Sequence, residues 1–215
     1  MPVPNAPTEI VNLALDIIKT ENINDILIPD GDKVAGVCNR WYEGIRQASL
    51  EGFPWNFAST HNAIPLDADA PDANDNWADA YQLPNNYLSL NYIKEQGLPL
   101  SQWNYVIEVN RILINNGGAE NLNIGYVFDQ TDVTKFSPSF KLYLAAELAE
   151  KIVYKLTGNP GLQNRVSQAK QREMLSAKAK NGKANPPIAF RQSRMLNARR
   201  IYGGASIHGR PYGRA

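Results

Sequence analysis

The sequence predicts an α+β, mainly α fold: a four-helix bundle with an inserted small β-rich lobe and an extended C-terminal arm. Three observations predict it. Apolar residues recur at helical three-and-four spacing in four segments, two before residue 53 and two after residue 136. Between those pairs, Pro54, Pro65, Pro71, Pro84 and Pro99 punctuate short runs rich in β-branched and aromatic residues. Beyond Pro186-Pro187 regular patterning stops, and the chain ends in RRIYGGASIHGRPYGRA. The expected organisation is a discontinuous helical bundle from 1–58 and 134–184, a lobe at 59–133 and a basic arm at 185–215.

The first helix is expected over Thr8 to Ile18, behind a capping Thr8 and Pro7, with Ile10, Leu13, Ala14, Ile17 and Ile18 on its inner side. The second runs from Asp32, a side chain able to accept from the open amides of a first turn, to Gly52. Its stripe is Val34, Val37, Cys38, Trp41, Tyr42, Ile45 and Ala48. The runs NYLSLNYI, QWNYVIEVNRILI and NIGYVFD read as strands. Asn115-Asn116-Gly117-Gly118 offers residues that tolerate positive φ, so Tyr105 to Ile114 and Leu122 to Phe128 are expected to pair as one hairpin. Ser137-Pro138 opens the third helix, whose inner face is Leu144, Leu148, Ile152 and Leu156 beside Ala145, Ala149 and Val153. Asn159-Pro160 opens the fourth, with a thin stripe of Leu162, Val166 and Ala169 and a basic outer face.

The net charge of +1 conceals a strong asymmetry. Residues 1–150 hold 8 Lys and Arg against 20 Asp and Glu, while residues 151–215 hold 14 against 1. The difference, about −12 against +13, predicts an acidic partner for the basic end: nucleic acid, an acidic protein surface or the acidic body of another copy. No apolar run approaches the roughly 18 residues of a membrane span, and the start MPVPNAPTE lacks the parts of a signal peptide. The expectation is a soluble protein without membrane contact. Cys38 is the only cysteine and sits in an apolar helical stripe, which predicts packing rather than reactivity.

Chemistry-bearing patterns are sparse. Asp72, Asn74 and Asn76 match the first ligand positions of an EF-hand loop, but Trp77 replaces the turn glycine and Leu83 the bidentate glutamate. A solvated acidic loop is the plainer account. His61 and His208 lie in different regions, and no glycine-rich phosphate loop occurs. Glu108, Glu147 and Glu150 are candidate carboxylates for glycan hydrolysis, although solvated surface is the better account of each. The expectation is no enzyme, no metal and no cofactor. On the arm, Arg191, Arg194, Arg199, Arg200, Arg210 and Arg214, with Tyr202 and Tyr212, could meet phosphates and bases. Spaced Arg and Tyr among Gly and Ala also suit docking into protein grooves.

At VCNRWYEGIRQASLEGFPWNFAS the chain resembles the bacteriophage tail tubular protein A family, the head-to-tail adaptors of short-tailed phages. The resemblance continues in YQLPNNYLSL, similar to the family's Leu-Pro-x-x-Tyr-Leu segment. It extends through ILINNGGAENLNIGYVFDQTDVTKFSPSFKLYLAAELAEKIVYKLTGNP, similar to its hairpin, helix and Leu-Thr-Gly exit, and spans about residues 34–160 in all. It implies a structural virion protein at the head-tail junction, built in the host cytoplasm as a twelve-subunit ring. Its implied neighbours are the portal protein and a tail nozzle resembling tail tubular protein B, with DNA passing through the channel without sequence-specific binding. Residues Arg191, Arg194, Arg199, Arg200, Ile201, Tyr202, Arg210 and Tyr212 are the expected portal-docking arm. Trp77, Tyr81, Trp103 and Tyr105 are expected nozzle or inter-subunit contacts, or else the lobe's own core. A tail-associated glycan hydrolase and a DNA-contacting channel protein are the alternatives.

Overall fold

The helices begin where Pro can stand without losing a hydrogen bond. In the computed structural model, which describes residues 6–27, 33–67, 77–94 and 104–184, α1 (Pro7–Ile18), α3 (Pro138–Thr157) and α4 (Pro160–Ala184) all start this way. Ser137 Oγ accepts from the Phe140 amide, and Asn159 Oδ1 from Gly161 and Leu162, which satisfies first-turn donors of α3 and α4. Thr8 is not the cap of α1: Ala6 is, and the Thr8 hydroxyl instead accepts from the Ile26 amide. The buried side of α1 is Ile10, Val11, Ala14, Leu15 and Ile18, rotated away from the expected Leu13 and Ile17. On α2 (Lys33–Glu51), Cys38, Tyr42 and Ile45 are buried but Trp41 is 42% exposed. The Asp32 cap lies outside the described residues.

The expectation of a four-helix bundle is corrected. The described chain is about 53% helical and 22% strand, with four helices and two three-stranded antiparallel sheets. In a bundle every helix gives a full stripe to a shared core. Here α3 is a hub against which α1, α2 and α4 pack, and α4 buries only Val166 and Ala177. Up to Ala184 the chain is one compact unit containing two hydrophobic clusters.

Six strands follow a short 310 turn at Asn56–Ala58: β1 (Ser59–Pro65), β2 (Asp79–Gln82), β3 (Tyr87–Ile93), β4 (Tyr105–Glu108), β5 (Arg111–Ile114) and β6 (Asn121–Phe128). The sheet orders are β1-β6-β3 and β2-β5-β4. The predicted hairpin is therefore wrong in two ways. Tyr105 to Ile114 is itself a hairpin, reversed at Val109-Asn110, and β6 belongs to the other sheet. Asn116 and Gly118 donate their amides to the buried Asp79 carboxylate, and Gly117 and Gly118 take φ of 70° and 72°. The turn residues thus wrap Asp79 and carry the chain between sheets instead of reversing it.

β6 is the seam of the unit because its side chains alternate. Leu122, Ile124 and Tyr126 join Ile64, Tyr81, Leu83, Ile93, Ile112 and Ile114 between the sheets, whereas Val127 faces the helical cluster. Across from it in β3, the Tyr92 ring covers Gly125; a Cβ there would lie 2.2 Å from the ring.

Candidate assembly surfaces

The expected arm residues Arg191, Arg194, Arg199, Arg200, Ile201, Tyr202, Arg210 and Tyr212 lie outside the described residues, as does Trp103. Of the lobe aromatics, Tyr81 is fully buried and its hydroxyl donates to the Ala119 carbonyl at 2.7 Å. It is a core residue of the sheets, so its place among the contact candidates is corrected. Tyr105 is half-buried and packs against the same cluster, and Trp77 is half-buried ahead of β2. The exposed apolar side chains of the sheets are instead Leu66, Tyr92, Ile107 and Val109. Val109 stands fully exposed at the β4–β5 tip with φ 53°, a conformation costing a β-branched residue about 1–2 kcal/mol. Reading residues 105–114 as one strand hid this tip.

The segment FPWNFA joins helices to sheets. Trp55 is fully buried, donates Nε1–H to the Ser49 carbonyl at 2.9 Å, and lies among Phe53, Phe57, Phe140 and Tyr143. Asn56 donates twice to Asn181: its amide to Asn181 Oδ1 at 2.9 Å, and its Nδ2 to the Asn181 carbonyl at 3.0 Å. Lys178 Nζ rests 5.1 Å from the centre of the Phe53 ring. Beside this joint a shallow pocket is lined by Asn56, Phe57, Ser137, Pro138, Ser139, Lys180, Asn181 and Ala184.

Charged side chains missed by sequence reasoning fix the helices. Arg46, 2% exposed, bonds Glu43 and Asp129 and donates to the Gln130 carbonyl at 2.7 Å. Burial raises the Asp129 carboxyl, but hydrogen bonds from Arg46 and Gln47 outweigh it and hold the group below the ordinary carboxylate range. Two of the three carboxylates considered for glycan hydrolysis are engaged by neighbouring side chains. Glu147 accepts from the buried Ser49 hydroxyl at 2.6 Å, and Glu150 meets Lys170 at 2.6 Å. Burial raises Glu150 as well, yet its bonds from Lys170 and Ser167 bring it below its usual value. Glu108 is exposed beside the tip.

The outer side of α4 carries Arg165, Gln168, Arg172 and Leu175, all exposed, on the opposite side from Val166 and Ala177. Outward on α1 stand Glu9, Asp16 and Ile17, with Leu13 half-buried among them. Among the described residues no group of three His, Cys, Asp or Glu side chains could hold a metal, and no helix is long and apolar enough to cross a membrane. The EF-hand-like Asp72, Asn74 and Asn76 fall outside them. What the described surface offers is charged helix faces and an apolar hairpin tip. No family model and no curated protein matches the chain.

Proposed function

We propose that this chain is a structural virion protein, a head-to-tail adaptor that forms a ring between portal and tail nozzle and continues the DNA channel. The observation that carries the reading is the ordered set of segments resembling the tail tubular protein A family, over about residues 34–160. Its physical support is that two of these segments pack together: Trp55 and Phe57 of FPWNFA lie against Phe140 of the third. The segments therefore share one folded unit, as functional parts of a single module would. In this reading the protein works at the head-tail junction, without a catalytic step or cofactor, and its basic residues 185–215 dock on the portal. Folding of such an arm on binding would cost about 1–2 kcal/mol per ordered residue, a cost that repeated contacts around a ring can offset.

The test is native mass spectrometry of the purified protein, alone and mixed with a portal, using the full chain and a chain ending at Ala184. A large assembly that needs both the portal and residues 185–215 is the expected result. A monomer in every mixture would overturn the proposal.

A further inference from the structure

The shallow pocket beside FPWNFA lies where the first turn of α3 meets the last turns of α4, and its volume is about 440 Å³. Its lining combines the apolar Phe57, Pro138 and Ala184 with polar groups, and no carboxylate is among them. Those polar groups differ in how far they are already used. Asn181 is occupied: its Oδ1 accepts from the Asn56 amide and its Nδ2 donates to the Pro54 carbonyl. Ser137 Oγ accepts from the Phe140 amide as the cap of α3, and its own hydroxyl proton is left to donate. Ser139 is only 6% exposed, and its hydroxyl has no hydrogen-bond partner among the described residues. Its amide belongs to the first turn, which a helix leaves without an internal acceptor. A buried hydroxyl facing a cavity is costly until something bonds it. Water would serve the hydroxyl alone, but the other wall carries charge. Lys180 stands exposed there on α4 and, among the described residues, pairs with no acid. Lys183 follows one turn on, so cations also offset the open carbonyls at the end of α4.

We propose that this pocket binds a phosphate monoester, with the phosphate at the N-terminus of α3 and its apolar or aromatic remainder on Phe57 and Pro138. The Ser139 amide and hydroxyl, the Ser137 hydroxyl and the Lys180 ammonium are donors from two helices, and a terminal phosphate has three free oxygens to receive them. A carboxylate has two oxygens and less charge. The cavity is larger than a phosphate, which leaves room for the group that carries it. The site is independent of the adaptor reading, and either can fail without the other.

The test is titration of the full chain with phenyl phosphate, read by calorimetry and by the shift of the Ser139 amide in a nitrogen–proton correlation spectrum. Saturable binding that moves this amide is expected. Lys180→Gln, at an exposed position, should weaken binding about ten-fold, and Ser139→Ala, with folding checked by circular dichroism, by about as much. Lys183→Gln leaves the pocket lining intact and should change binding by less than about two-fold. Benzoate, which has the same ring but one oxygen fewer, should bind about ten-fold more weakly than phenyl phosphate. The proposal is overturned by phenyl phosphate that does not bind, by a Ser139 amide that does not move, or by benzoate that binds as tightly. Equal losses from Lys180→Gln and Lys183→Gln overturn it too, since they would mean diffuse attraction to a basic surface. So does a Lys180→Gln chain that loses binding to duplex DNA when the wild type ignores phenyl phosphate.

Discussion

α3 and α4 are neighbours joined by Gly158 and Asn159, and they use their residues in opposite ways. The 20 residues of α3 bury eleven, among them Phe140, Leu144, Leu148, Ile152 and Val153; the 25 of α4 bury Val166 and Ala177. α3 is held by apolar area. α4 adds polar pins to a thin apolar stripe of Leu162, Val166, Met174 and Ala177: the Asn56–Asn181 pair, Lys170 on Glu150 and Lys178 over Phe53. The difference teaches where function has room. A hub helix spends most of its surface on its neighbours, with Leu142 and Tyr154 among the few exposed positions, while a helix pinned along one edge leaves more of its sides exposed.

The comparison breaks most visibly if Leu148→Ala is mild. That fully buried side chain should cost about 3–4 kcal/mol on removal, read by denaturant unfolding. Arg46→Ala, on α2, should come next at about 2 kcal/mol, because it removes the buried donor to the Gln130 carbonyl and to Asp129, which keeps only Gln47 as a side-chain donor. Asn181→Ala tests whether α4 depends on its polar pins; a loss of about 1–2 kcal/mol is expected, and no loss would mean that α4 is held elsewhere.

A pH series on Glu150→Gln sharpens the point. The folded Glu150 value lies below its ordinary 4.5, so its contribution is complete above that value and is lost as pH falls through the depressed one. Wild type and variant should differ by up to about 1 kcal/mol at neutral pH and converge in acid. The smallest effect belongs to the outer side of α4. Leu175→Ala should change stability by no more than about 0.5 kcal/mol, read by denaturant unfolding.

Much of the helical part was legible in local chemistry. Ser137-Pro138 and Asn159-Pro160 mark helix starts by themselves, and the inner face of α3 follows from spacing, with Leu144, Leu148, Ile152, Ala145, Ala149 and Val153 all buried. The β part was less so. Tyr105 to Ile114 is mostly strand-forming, and its one turn-favouring residue, Asn110, sits beside Val109, a poor choice for φ 53°, so the local signal for a reversal is weak. The reversal is sustained from outside: the Asn110 carbonyl accepts from the Leu83 amide, and β5 pairs with β2. Tyr81 was read as either a contact or a core residue because an aromatic in a short strand has no sequence mark of its side until the sheet is assembled. Trp41, placed on the inner stripe of α2, turned out half-exposed because the buried side centres on Cys38, Tyr42 and Ile45.

The charge split between residues 1–150 and 151–215, the proline-opened helices and the apolar stripe of α3 were determined by the sequence alone, since each depends on neighbours within a turn or on simple summation. Which helix became the hub, which glycines cross between sheets, and which acids face which arginines were decided only by tertiary structure. The physical reason is range. Caps and periodicity act over three or four residues, whereas Arg46 finds Asp129 and Asn56 finds Asn181 across 83 and 125 positions of chain, after folding has brought their backbones together.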